Sequence, residues 1–129
     1  MKKLVMACAI FLSLLMTSYC SVNGAEIKAN VRITYYTKNE CPNKYTKHGT
    51  LPTEGRTCAL SRDLVRKYNP EPFTPIFIPN VGIRFYEDTT AESVERNGKK
   101  YFIRNRVDVY KNEGKGFDGQ VQVIIGKEW

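Results

Sequence analysis

The chain has 129 residues, with 20 Lys+Arg, 13 Asp+Glu and a single histidine, for a formal net charge of +7. One histidine closes most metal-hydrolase and acyl-transfer schemes, so neither a metal centre nor a cofactor is expected. No basic run is longer than Lys99-Lys100, which argues against nucleic acid as a partner.

The first recognisable element is a targeting segment. Lys2 and Lys3 form a positive start, and Leu4 to Met16 is apolar except for Ser13. Small and polar residues follow, up to Asn23-Gly24-Ala25. This is the order of a cleavable signal peptide. The apolar run is about 13 residues, short of the roughly 20 that span a bilayer, so no stable membrane insertion is expected after cleavage. The alternatives are an uncleaved anchor and a lipoprotein at Cys20, although Tyr19 stands where lipoprotein processing takes a small residue. The reading divides the chain into a signal peptide at 1–25 and one domain at 26–129. It places the product in the periplasm, at the cell wall or outer membrane, or outside the cell. Loss of Lys2 and Lys3 leaves 18 basic and 13 acidic residues, net +5. An exported basic domain collects on anionic surfaces such as wall polymers.

Cys8 and Cys20 leave with the signal. Cys41 and Cys58 remain, and two cysteines in an oxidising compartment predict a disulfide. A loop of that size contributes about 3 kcal/mol through the unfolded state. A metal site or a thiol nucleophile beside His48 is the rival reading.

In the remaining chain, residues 31–37 alternate apolar and polar β-formers and read as a strand. Residues 39–56 are loop-like, and His48 is expected as a solvated loop residue. Residues 57–60 suggest a short strand. Ser61 is a plausible N-cap for one or two turns of helix, ended by Pro70 and Pro72. Strands are expected at 74–79 and 83–88, with a turn at Gly82. Asn97-Gly98 is a turn signal after a polar stretch from Thr89. Further strands are expected at 100–104, 106–110 and 120–125. Six or seven short strands and one helix predict a small all-β barrel or sandwich.

Without a phosphate loop or a Ser/His/Asp set, carboxylates are the candidates for chemistry. In Val107-Asp108-Val109, inward valines put Asp108 on the outer face with Arg106 and Tyr110. An acid beside aromatic and basic residues on a β surface can carry a tuned pKa. Asp88 ends the preceding strand, and Glu87 beside it is as good a candidate by chemistry alone. An exposed, salt-bridged Asp108 and a turn-capping Asp88 are the plain alternatives. Tyr35, Tyr36, Tyr86 and Tyr110 lie on or beside these strands and offer sugar-stacking surfaces, Tyr36 foremost.

Several segments, taken in order, resemble one known family. Gly49-Thr-Leu-Pro-Thr-Glu-Gly-Arg-Thr-Cys-Ala-Leu-Ser, Phe77-Ile-Pro-Asn-Val-Gly, Glu87-Asp-Thr-Thr, Asn105-Arg-Val-Asp-Val-Tyr and Val121-Gln-Val-Ile-Ile look like successive motifs of the 3D (Asp-Asp-Asp) domain. The resemblance covers residues 31–126. It implies a small six-stranded double-psi β-barrel, the barrel also found in MltA-type lytic transglycosylases and, more distantly, in RlpA and expansins. It implies peptidoglycan glycan strands as the partner; separately, a monomer is expected. It implies cleavage of the MurNAc–GlcNAc β-1,4 bond without water, leaving a 1,6-anhydro end. One carboxyl serves as general acid and then general base, and no second carboxylate activates water.

By motif, the acid/base of the family falls on Asp108 and its partner on Asp88; Tyr36, Tyr86, Tyr110 and Arg106, on or beside the same strands, are the expected substrate contacts. The sequence departs from the family twice. Ser61 stands at the first aspartate, and Thr90 at the glycine after the second. These departures keep a second reading open: a non-catalytic glycan-binding or wall-loosening module like the expansins and RlpA.

Overall fold

A computed structural model describes residues 26–40, 44–113 and 118–126. The segment read as a signal peptide lies outside the described residues, and so does Cys41. No described helix is long and apolar enough to cross a membrane.

Among the described residues, eight strands and one α-helix follow one another, with a single 3-10 turn at Lys38–Glu40 after the first strand: β1 (Ile27–Tyr36), β2 (Thr57–Leu60), α1 (Arg62–Tyr68), β3 (Pro75–Ile78), β4 (Gly82–Thr89), β5 (Ser93–Arg96), β6 (Lys99–Phe102), β7 (Arg106–Tyr110) and β8 (Gly119–Ile125). Six of them close into a barrel in the order β1-β7-β2-β4-β3-β8, while β5 and β6 form a separate two-stranded ribbon. The small closed all-β barrel with one short helix is therefore the architecture the sequence predicts.

The barrel has an internal twofold relation. The parallel pair β1 and β7 is matched by the parallel pair β4 and β2. The antiparallel pair β1 and β8 is matched by β4 and β3. The first three barrel strands thus map onto the last three, and the two halves interlock through β2 and β7.

Period-two patterning fills the interior. In β1, Ala29, Val31 and Ile33 point inward while Lys28, Asn30 and Arg32 point out. Leu60, Ile76, Val107, Val109, Val123 and Ile125 complete the core. Each such side chain contributes on the order of 2 kcal/mol by leaving water. Gly82 opens β4 at φ +110°, a conformation that glycine takes without a Cβ penalty.

Helix α1 begins after Ser61, which has extended backbone angles at the N-cap position. Its hydroxyl does not cap the helix; it accepts from the Arg106 N–H at 3.0 Å. Leu64 anchors the helix to the core, and left-handed Asn69 ends it just before Pro70. The ribbon turns at Asn97-Gly98, both at positive φ, as a tight hairpin requires.

Strand β1 starts four residues earlier than expected, because Ile27 and Ala29 already pair with β8. Strand β5 lies in the stretch read as polar loop. It faces no core, so its only sequence signal is the hairpin turn that follows it.

Cys58 is a free thiol buried at the barrel centre, and Sγ–H donates to the Phe85 carbonyl at 3.4 Å. The expected Cys41–Cys58 disulfide is therefore not formed in this structure. The physical reason is placement: Cys58 points into the apolar core next to Leu60, not toward the loop that precedes β2. Burial and the nearby Glu87 charge push its thiol well above its usual pKa, so it is held protonated.

Candidate functional site

One register row crosses four strands of the barrel. Thr34 on β1 pairs with Asp108 on β7, Asp108 with Ala59 on β2, and Ala59 with Asp88 on β4. Paired residues in a sheet point to the same face, so this row puts both acids on one outer surface, separated by the smallest side chain available.

A β-bulge makes this possible. The register of β2 against β4 slips between Cys58 and Ala59: Cys58 faces Tyr86, yet Ala59 faces Asp88. Glu87 is the extra residue. Without the slip, Tyr86 inward would put Glu87 outward and Asp88 inward. With it, Tyr86 and Glu87 are both buried and Asp88 is re-aimed to the outer face. This decides between the two acids that chemistry alone left equal. Glu87 is fully buried and saturated. Its carboxylate accepts from Arg56 Nε at 2.9 Å, from Thr57 Oγ1 at 3.2 Å and from the Thr50 hydroxyl. It is a structural ion pair and not a groove acid.

The row forms the floor of a groove of about 530 Å³. Tyr35, Tyr36 and Glu40 stand along one side. Thr89, Thr90 and Ala91 follow Asp88, and Val94, Arg96 and Ile103 come from the ribbon and its flank. Arg32, Arg106 and Asp118 line the remaining wall, and Arg32 is tied to Asp118 at 3.0 Å.

Asp108 is half-buried in this groove and accepts from the Thr34 hydroxyl at 3.1 Å. Its pKa is raised from 3.8 to about 6. Burial is the largest cause, and the charges of Glu40 and Asp88 add to it. The Thr34 hydrogen bond and Arg106 pull the other way. A carboxyl poised near pH 6 can both give and take a proton at neutral pH.

Asp88 has a different occupation. Its Oδ1 accepts from the Lys47 N–H at 3.0 Å and from the Thr89 N–H at 2.9 Å. It fixes the turn after β4 and contributes charge to Asp108, a smaller contribution than that of Glu40. The turn-capping role weighed for this residue is thus present, together with its position at the groove.

The other expected contacts divide. Tyr36 and Arg106 line the groove. Tyr110 pairs with Tyr36 across β1 and β7 and is buried beside it, packed edge-on at a centroid distance of 5.4 Å, but does not line the groove. Tyr86 is a correction: it faces the barrel interior, 2% exposed, and its hydroxyl meets the Thr89 hydroxyl at 3.0 Å. The inward phase of β4 before the bulge is the reason. His48 is also not a solvated loop residue. Its ring packs edge-on against Tyr86 at 4.9 Å, and burial with the Lys47 charge lowers its pKa against the pull of Asp88.

Ser61 is fully buried and does not reach the groove. With Asp63, whose carboxylate accepts from the Asn105 N–H at 2.8 Å, it pins the start of β7. Thr90, at the position of the family's glycine, is not in the left-handed region, so its Cβ costs no strain there.

Sequence reasoning missed Thr34, Glu40 and Arg96. Thr34 had a signal, because it is an outward polar residue inside a recognised strand. Glu40 and Arg96 had none, because their places depend on how a loop and a ribbon fold back over the barrel. Among the described residues no group of three or more acids, histidines or cysteines is placed to hold a metal ion. No protein-family model matches the chain, and no curated protein matches it.

Proposed function

We propose that this protein is an exported peptidoglycan lytic transglycosylase with Asp108 as its single general acid/base. The observation that carries the reading is Asp108 itself: a half-buried carboxyl, raised to about pH 6, on the floor of an open groove. The interlocked twofold pairing of the six barrel strands supports it as well, since a double-psi barrel requires such crossing halves.

Protonated Asp108 donates to the glycosidic oxygen as the bond to C1 of MurNAc breaks. As a carboxylate it then takes the proton of the C6 hydroxyl, whose oxygen closes on C1 to give the 1,6-anhydro ring. The two steps balance, because the acid regains the proton it gave. One carboxyl suffices because the nucleophile belongs to the substrate. Thr34 orients the carboxyl, and Glu40 and Asp88 keep its proton on to higher pH. Tyr36 offers an apolar edge to a sugar ring.

The test is digestion of purified peptidoglycan in heavy-oxygen water. Transglycosylation releases 1,6-anhydro products that carry no label. Labelled reducing ends would identify a hydrolase instead, and no released product would remove both.

A second reading is a non-catalytic glycan-binding module. It is favoured by the placement of Ser61, which is buried away from the groove and supplies no acid at the position of the first aspartate of the resembled motif. Pull-down by insoluble peptidoglycan that is equal for the protein and for Asp108→Asn, with no product from either, would select it.

A further inference from the structure

The groove does not end at Arg106. Arg106, Arg96, Val94 and Ile103 line it, and the same four residues line a second cleft of about 480 Å³ against the β5–β6 ribbon. The two clefts are thus neighbours that share a wall. Tyr101 and Phe102 complete the second cleft and stay 50% and 53% exposed.

The two rings are not equivalent. Lys100 and Arg104 lie over the Phe102 ring at 5.2 and 5.4 Å. Tyr101 pairs with Val94, so it shares the ribbon face that Val94 and Arg96 present to the groove. No cation or ring covers Tyr101 among the described residues. The shared wall is cationic. Neither Arg96 nor Arg106 lies within salt-bridge distance of an acid among the described residues, and Arg106 Nε is buried with no hydrogen-bond partner. A flat apolar ring beside two guanidinium groups that make no salt bridge among the described residues fits a sugar that carries a carboxylate: the ring face stacks, and the acid is held by forked donors.

We propose that the second cleft is an outer sugar subsite of the Asp108 groove, where Tyr101 stacks on a sugar ring and Arg96 and Arg106 bind the free lactyl carboxylate of a muramic acid that has lost its stem peptide. The assignment rests on the peptidoglycan reading above. It makes the enzyme a reader of acidic glycan chains longer than a disaccharide.

The test is calorimetric titration of Asp108→Asn, which holds glycan without cutting it, with three probes: a MurNAc–GlcNAc disaccharide, the corresponding tetrasaccharide, and a neutral N-acetylglucosamine tetramer. The tetrasaccharide is expected to bind at least about tenfold tighter than either of the others. Adding Tyr101→Ala is expected to remove about tenfold from the tetrasaccharide and nothing from the disaccharide, whereas Arg96→Ala is expected to weaken both, since Arg96 also lines the Asp108 groove. Both side chains are on the exposed ribbon, so the barrel stays folded. Unchanged tetrasaccharide affinity in both variants would overturn the subsite and leave the peptidoglycan reading intact. Failure of Asp108→Asn to bind any of the three glycans would overturn the peptidoglycan reading, and the subsite with it.

Discussion

Asp88 and Asp108 face the same residue, Ala59, from opposite sides, one in a parallel pair and the other in an antiparallel pair. The central strand of the site therefore carries no functional group of its own. It holds two acids at a fixed spacing and leaves room between them. The bulge at Glu87 sets this arrangement, and the rest of the site follows from it.

The raised pKa of Asp108 has a stability consequence. The unfolded carboxyl titrates near 3.8 and the folded one near 6, so the folded state holds its proton more tightly. The resulting stabilisation is complete below about pH 4 and is lost as pH rises through about 6. Asp108→Asn keeps an acceptor for the Thr34 hydroxyl and removes the buried charge. It is expected to be more stable than the parent at pH 7.5 by on the order of 2 kcal/mol, with the difference closing by about pH 4. Urea denaturation at the two pH values checks both the sign and the convergence.

Ala59→Leu tests the space between the acids. The added atoms project onto the groove floor. Ala59 is 3% exposed and packs with Tyr36 and Tyr110, so a larger side chain must displace them. Loss of at least about tenfold in glycan cleavage is expected, with a stability cost of about 1–3 kcal/mol from overpacking. Full activity despite the stability cost would show that the glycan does not use the space between the acids.

Arg56 is half-exposed, yet it holds the fully buried Glu87 at 2.9 Å. Removing it leaves a buried carboxylate on two threonine hydroxyls. Arg56→Met is expected to cost about 2–3 kcal/mol, and Arg56→Met with Glu87→Gln less than the single change. A double-mutant cycle in urea measures the difference.

The strands that build the barrel were legible because their signal is local. Val107-Asp108-Val109 announces its own inward and outward faces, and Asp108 was placed correctly on the outer one with Arg106. Asn97-Gly98 marked its hairpin. The choice between Glu87 and Asp88 was not legible, because a bulge depends on how β4 pairs with β2 and leaves no mark in β4 alone. Tyr86 was misread because its inward phase is set by how β4 pairs with β2 before the bulge, opposite Cys58. Cys58 was misread because counting cysteines does not show which way a side chain points, and Cys58 faces the barrel core. Neighbouring Leu60 shows which way that strand face points.

Cys58 therefore gives a clear outcome. The native protein is expected to show no reaction of Cys58 with a thiol reagent over hours, and full reaction on unfolding in guanidinium without added reductant. Peptide mapping after labelling reads the residue directly. Recovery of Cys58 as a disulfide-linked peptide from unreduced protein would contradict the free thiol in the barrel core.

The most direct measurement is a mass-spectrometric muropeptide profile of peptidoglycan incubated with the protein at about pH 5.5, run beside Asp108→Asn. The account predicts 1,6-anhydro-muropeptides from the parent and none from the variant, with both proteins folded. Identical profiles, whether both contain these products or neither does, would contradict Asp108 as the acid that cuts the glycan.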